Sequence, residues 1–314
     1  MENINKKRLP REVCVASIDL MGIWPVNTVE QRVKDILRRM ESVYPLEPDI
    51  ICLPETFNTS WVREAEKKMK LEDYAEDENI QGPITKIIAG EARKHNCYIV
   101  CPIITKNEGK YYNSAVLLDR KGKTVGAYHK AHPVPTEGVK SGVLKPPVFK
   151  TDFGTIGMQI CYDAFWWFDS WINLKKAGAE IVFFPSQAPF ENILRQHAWI
   201  SQYYVVASTG ESARIIDITG DEIVASGEFE RWVYATINLE KVLIHIWPYV
   251  QKFDSIRKKY GRKIGIKIYH PENWAVIESL DPEIRVSEIL KEYGIPTYDE
   301  HLRENEKVQD KSRI

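Results

Sequence analysis

An excess of charge of either sign is missing from this chain. Lys and Arg number 43 against 44 Asp and Glu, a formal net charge of −1 over 314 residues. So even a balance gives no electrostatic pull toward nucleic acid or an anionic membrane, and neither is expected as a partner. Long apolar runs are missing as well. None approaches the roughly 20 residues that a bilayer-spanning helix needs. The first ten residues, Met1-Glu-Asn-Ile-Asn-Lys-Lys-Arg-Leu-Pro10, carry cations but no apolar stretch of the secretory kind. Cysteine is scarce, five residues, an odd number without metal-site spacing. Cys14, Cys52, Cys97 and Cys101 lie in apolar, strand-like runs, and Cys97 and Cys101 are too far apart along one strand face to bridge. Buried, reduced thiols and a cytoplasmic location are the expectation. No Gly-rich phosphate loop follows the first strand, which argues against a nucleotide-binding α/β domain.

What the chain does have is an ordinary globular composition, 44% hydrophobic and 28% charged, and enough length for a sizeable core. Val13–Ile18 reads as a first strand. From Thr28 to Tyr44 the residues Val29, Val33, Ile36, Leu37, Met40, Val43 and Tyr44 recur near a 3.6 period, which predicts a helix opened by a Thr28/Gln31 capping box. Strands follow at 50–53, 98–104, 112–118 and 124–129, with a second helix after Gly82-Pro83. The later segment Gly178-Ala-Glu-Ile-Val-Phe-Phe-Pro185 echoes Pro48-Asp-Ile-Ile-Cys-Leu-Pro54, and Ser186 stands where Glu55 stands, which points to an internal duplication. Strands that alternate with helices and hairpins favour an α/β fold of two mixed sheets with helices outside. From about Pro248 the composition turns to Lys, Arg, Glu and Tyr. Residues 1–248 are therefore read as the main domain. Residues 249–314 are read as an arm with one helix, Ile284 to Tyr293, and a disordered polar end.

Three reactive side chains sit at strand ends. Glu55 follows Ile50-Ile-Cys-Leu-Pro54, Lys130 follows Thr124-Val-Gly-Ala-Tyr-His129, and Cys161 follows Thr155-Ile-Gly-Met-Gln-Ile160 and opens a helical stretch expected to reach Lys176. Together they supply a proton acceptor, an electrophilic clamp and a nucleophile, which suits acyl transfer. A thiol with an ordinary pKa near 8.5 needs help to ionise. A helix N-terminus and the Lys130 cation are expected to provide it. Lys130 and the backbone N–H of Tyr162 are the expected donors to a developing oxyanion. His129 and His132 flank Lys130 but lack clustered partners, so no metal is expected.

The segments Leu53-Pro-Glu-Thr-Phe57, Tyr128-His-Lys-Ala-His132 and Gly157-Met-Gln-Ile-Cys-Tyr-Asp163 resemble, in order and spacing, the three signatures of the nitrilase superfamily of carbon–nitrogen hydrolases. The resemblance runs from about Val13 to Leu239. It implies a four-layer αββα sandwich, a Glu55–Lys130–Cys161 triad and no cofactor. It also implies a further glutamate, Glu137, which would orient substrate or water or hold Lys130. The implied reaction is cysteine-dependent hydrolysis of a small amide or N-carbamoyl compound, with a nitrile as the alternative substrate and a non-catalytic scaffold as the alternative role. Where relatives carry Arg-Phe-Pro-Glu after the Tyr-Asp, this chain has Ala164-Phe-Trp-Trp-Phe-Asp169, which leaves the subfamily open. Arg195 is a candidate grip for a substrate carboxylate. Aromatic crowding at Phe165, Trp166, Trp167, Phe168 and Trp171, with the family's habit of pairing there, predicts a homodimer or larger even assembly, with the C-terminal arm on a neighbouring subunit.

Overall fold

The computed structural model describes residues 9–22, 26–62, 69–166 and 170–313. In chain order the first half runs β1 (Glu12–Ile18), α1 (Val29–Val43), β2 (Ile50–Cys52), α2 (Leu71–Tyr74), β3 (Glu76–Asp77), α3 (Pro83–Lys94), β4 (Tyr98–Asn107), β5 (Lys110–Leu118) and β6 (Thr124–His129). The second runs β7 (Phe149–Lys150), β8 (Thr155–Met158), α4 (Ile172–Lys176), β9 (Ile181–Pro185), α5 (Glu191–Ser201), β10 (Tyr204–Ser208), β11 (Ala213–Ile216), β12 (Glu222–Ala225) and β13 (Trp232–Asn238).

Two mixed sheets result, ordered β13-β1-β2-β4-β5-β6 and β12-β11-β10-β9-β8-β7, with β3 added beside β4. In the first, β1, β2 and β4 are parallel and β5 and β6 turn back antiparallel. In the second, β8, β9 and β10 are parallel and β11 and β12 turn back in the same way. The duplication read from the sequence is thus a duplication of topology, and β2 and β9 hold matching central places.

The strands are apolar on both faces because each sheet is covered on both. Ile51 of β2, Leu53 just beyond it, and Ile99, Cys101 and Ile103 of β4 join a core with Val33, Ile36 and Met40 of α1 and Ile88 of α3. In β9 and β10, Val182, Phe184, Val205 and Ala207 join a core with Leu174 of α4 and Leu194 and Ala198 of α5. The intervening residues, Cys52, Val100, Phe183 and Val206 among them, are fully buried where β2 packs against β9 and β10. Period-2 alternation with both sets apolar is what an αββα sandwich requires. Polar ties cross between the sheets: Ser17 Oγ donates to Ala207 O at 2.7 Å, and Ser208 Oγ donates to Ile18 O.

The α1 start follows the expected cap. Thr28 Oγ1 accepts from Gln31 N at 3.2 Å, while the Gln31 side chain reaches Asn27 N (3.0 Å), one residue earlier than a capping box requires. The helix expected from Cys161 to Lys176 is not continuous. Residues Cys161–Phe165 form a 3₁₀ turn, and α4 begins at Ile172. Trp167 and Phe168 lie outside the described residues. Trp171, expected at a subunit interface, is instead fully buried against Phe184 and His197.

Cys14–Thr236 is one compact unit; the described residues up to Val13 and the chain from Ile237 form the other. The C-terminal segment, expected to be an arm with one helix, folds around a core of its own. Strands β14 (Lys241–His245), β15 (Ile264–Tyr269) and β16 (Trp274–Ser279) make an antiparallel sheet ordered β14-β16-β15. Helices α6 (Phe253–Tyr260) and α7 (Val286–Tyr293) close a core of Ile244, Phe253, Ile256, Ile277, Ile289 and Leu290. The polar end, expected to be disordered, forms α8 (Tyr298–Asp310), capped by Thr297 Oγ1 accepting from Glu300 N. Apolar residues scattered among many charges hid this core from a reading by composition.

His197 of α5 stacks on Trp171 with centroids 3.9 Å apart, and its Nε2 donates to Ala164 O at 2.7 Å. Burial pushes its pKa down to about 4. The unfolded chain therefore binds a proton below about pH 6.5 that the folded chain refuses, and stability is lost as pH falls through that window. Between pH 7 and pH 5 this one group should remove about 2 kcal/mol. Urea unfolding of the wild type and His197→Phe at both pH values should show the difference; equal losses would contradict it.

Candidate active site

Strand ends build the site, and the carboxylates of Glu55 and Glu137 organise it around one buried ammonium. Lys130, one residue beyond β6, is 1% exposed. Its Nζ donates to Glu55 Oε1 at 2.9 Å and to Glu137 Oε1 at 2.6 Å. Burial pulls the ammonium's pKa down, but Glu55, the Cys161 thiolate form and Glu137 outweigh it, and the net shift is upward. Lys130 is therefore a fixed cation. Its backbone is held too: Lys130 N donates to Asn113 O and Gly142 N donates to Lys130 O, each at 2.8 Å. Gly142 is required there, because a Cβ would lie 2.2 Å from His129 O.

Glu55 follows β2 and is 3% exposed. Besides Lys130, its Oε1 accepts from Asn113 Nδ2 at 2.8 Å. Its Oε2 is buried and has no hydrogen-bond partner among the described residues. Glu137, in the 3₁₀ turn Pro135–Glu137, accepts from Val134 N (2.8 Å) through Oε1 and from Asn113 Nδ2 (2.9 Å) through Oε2.

Cys161 adopts φ +47°, a left-handed conformation uncommon for a residue with a Cβ. The turn is clamped by Asp163, whose two oxygens accept from Tyr128 OH (2.7 Å), Ile160 N (3.0 Å), His132 N (2.8 Å) and His132 Nδ1 (3.0 Å). One carboxylate thus ties the chain on either side of Lys130 to the chain on either side of Cys161. His132 also stacks on Trp166 at 4.3 Å, while His129 turns to Glu78 (2.6 Å). A third link is Gln187, just after β9. Its Nε2 donates to Glu55 O (2.6 Å) and Ser60 Oγ (2.7 Å), and its backbone N–H and the Ser186 hydroxyl face the Cys161 sulfur.

The thiol differs from expectation. Burial, and then Glu55, push the Cys161 pKa up to about 11, against the lowering effects of Lys130, Ser186 and Gln187. A single 3₁₀ turn replaces the expected helix, and Lys130 is already neutralised by carboxylates. At neutral pH the Cys161 side chain is therefore a protonated thiol.

These groups line a cavity of about 470 Å³ whose walls include Glu55, Asn113, Lys130, Glu137, Cys161 and Gln187, with Thr56, Tyr74, Ile104 and Val134 among the rest. Tyr162, whose N–H follows Cys161, lies in the same 3₁₀ turn. Arg195, expected as a substrate grip, does not line it. It is exposed on α5, and its Nε donates to Gly220 O at 2.9 Å, closing the β11–β12 turn. Asn113, Asp163 and Gln187 were given no role from sequence. Each acts through neighbours remote in the chain. For Asp163, its place inside the third of the signature segments was the available signal.

Residues 14–243 match the carbon–nitrogen hydrolase family. The chain belongs to that family. It is 31% identical over 176 residues to the beta-ureidopropionase of Arabidopsis thaliana, a match covering 51% of this chain and 42% of the relative. It is 39% identical over 118 residues to the deaminated glutathione amidase of Mus musculus, covering 32% and 36%. The chain thus spans less than half the length of these curated relatives. The fold is that of a Saccharomyces cerevisiae member of branch 10 of the nitrilase superfamily, with TM-score 0.63, 20% identity, and coverage of 82% of this chain and 97% of that one. It is also that of a Nesterenkonia amidase variant carrying the acetamide moiety of fluoroacetamide on its active-site cysteine, with TM-score 0.61, 14% identity, and coverage of 81% and 100%.

A thiol with its pKa near 11 sets an alkylation profile. The iodoacetamide rate at Cys161, followed by peptide mass spectrometry, should climb about tenfold per pH unit from pH 7 to pH 10. A plateau reached below pH 8 would show a thiolate already present and contradict this geometry.

Proposed function

We propose that the protein hydrolyses a non-peptide C–N bond, that of a small amide or N-carbamoyl compound, through a thioester on Cys161. The observation that carries this reading is the buried Oε2 of Glu55, without a hydrogen-bond partner among the described residues, in the cavity that also holds a protonated thiol. A neutral thiol attacks only if a base takes its proton, and Glu55 Oε2 is the acceptor at hand. As sulfur bonds to the carbonyl carbon, negative charge gathers on oxygen. Two of the three Lys130 hydrogens are committed to Glu55 and Glu137, which leaves the third for that oxygen beside the Tyr162 N–H. Collapse breaks the C–N bond, and the leaving amine takes the proton from Glu55. Water then gives a proton to Glu55 and its oxygen to the thioester carbon, releasing the acid and restoring the thiol. The reaction uses one water per C–N bond and needs no cofactor.

Among the described lining residues Lys130 is the one cation, against the two carboxylates Glu55 and Glu137. That charge balance favours an uncharged acyl group. With Arg195 outside the cavity, an N-carbamoyl amino acid has no described partner for its carboxylate. A panel of neutral amides, carboxylate-bearing ureides and nitriles, read by ammonia release, should give turnover first with the amides. Cys161→Ala should abolish it. Lys130→Ala should lower kcat by at least about 100-fold, the value of one oxyanion donor. Turnover of nitriles alone would overturn the amide reading. No turnover of any class would favour a binding protein.

A homodimer or larger even assembly is the accompanying proposal, supported by Phe165, 48% exposed beside the nucleophile turn, and by Ile200 of α5, 51% exposed. Light scattering should give at least twice the chain mass; a 36.4 kDa particle at micromolar concentration would contradict it.

A further inference from the structure

We propose that Asn113 is the positioning residue that sets which oxygen of Glu55 acts as the base, an inference that rests on the hydrolytic reading above. Asn113, on β5, is 2% exposed, and its single amide nitrogen donates to both carboxylates of the site, Glu55 Oε1 at 2.8 Å and Glu137 Oε2 at 2.9 Å. Ionised carboxylates accept and do not donate, so the amide must turn its nitrogen toward them; the reverse orientation would set its oxygen against two anions. Both amide hydrogens are thereby used.

The consequence is an ordered set of contacts around one cation. Lys130 alone could be shared by Glu55 and Glu137 in several ways, since an ammonium is a rotating point donor. With Asn113 in place, Glu55 Oε1 receives two donors, Lys130 and Asn113, and Glu137 receives its donors on both oxygens. Glu55 Oε2 is left as the carboxylate oxygen of the pair without a donor. Asn113 also fixes the height of Lys130, because its own carbonyl accepts from Lys130 N. Asn113 touches no reacting atom in this scheme. It acts through Glu55, Glu137 and Lys130.

A carboxylate that loses a donor, or gains a like charge beside it, holds its proton more tightly. Two variants read this differently. Asn113→Ala removes the donor; Asn113→Asp keeps the shape and adds a third carboxylate beside one ammonium, so it also serves if the alanine variant fails to fold. In each folded variant kcat on the preferred amide should fall at least about tenfold while KM changes less, because base strength and aim belong to the chemical step. The acid limb of the kcat/KM profile should move to higher pH, further for Asn113→Asp. A folded Asn113→Asp with kcat within about twofold of wild type and a superimposable pH profile would overturn the proposal. So would a loss confined to melting temperature, the mark of a structural role.

Alkylation separates this inference from the function it rests on. The added charge in Asn113→Asp offsets Lys130 further and should slow iodoacetamide labelling of Cys161 at each pH, with or without any substrate turnover. If the wild type hydrolyses nothing yet labelling slows, the positioning role stands and the hydrolytic reading falls. If labelling is unchanged in Asn113→Asp, the coupling from Asn113 to the site is refuted.

Discussion

A buried ammonium held between one buried and one half-buried carboxylate is the constraint on which this site depends. Removing a charge from water costs several kcal/mol even after relaxation, and only close, well-aligned partners offset it. Lys130 has them in Glu55 and Glu137, and Asn113 joins the two carboxylates from the other side. Replacing such a cluster with apolar side chains would often leave a fold as stable or more so. Its value here lies in what it leaves over: one ammonium hydrogen and one carboxylate oxygen, both in a cavity with a thiol.

The fold supplies the geometry that the cluster needs. Glu55 and Lys130 come from the first sheet, Cys161 and Gln187 from the second, and all four follow strands. Two sheets packed face to face could slide by a fraction of an ångström and still bury the same apolar area. Asp163 and Gln187 remove that freedom: Asp163 binds groups at the ends of β6 and β8, and Gln187, after β9, binds groups that follow β2. The positive φ at Cys161 belongs to the same scheme: the turn presents the sulfur at the sheet edge and is over-determined by the Asp163 bonds.

Much of this was legible in the chain. Strand ends beside reactive residues, the echo of 48–54 in 178–185 and the order of the three segments led to two sheets and to Glu55, Lys130 and Cys161. The misses have physical causes. Periodicity cannot distinguish a helix from a 3₁₀ turn followed by a shorter helix, so the segment after Cys161 was read as one element. The pKa of Cys161 depends on burial and on Glu55, neither of which is local, so a lowering was expected where a rise is found. Arg195 has the charge that a carboxylate grip needs, but its partner, Gly220 O, lies 25 positions away in the chain. The C-terminal core escaped because its apolar residues are spread among many charges, so composition showed only polarity.

In the proposed reaction Cys161 carries the acyl group while Glu55 moves the proton. An activated ester such as p-nitrophenyl acetate accelerates the first half-reaction, so the second becomes limiting and the intermediate accumulates. Rapid quenching followed by peptide mass spectrometry should then find a burst of p-nitrophenolate stoichiometric with protein and the acetyl group on the Cys161 peptide. Both should be lost in Cys161→Ala. A burst that survives in Cys161→Ala, or an acetyl group found on another residue, would contradict the account.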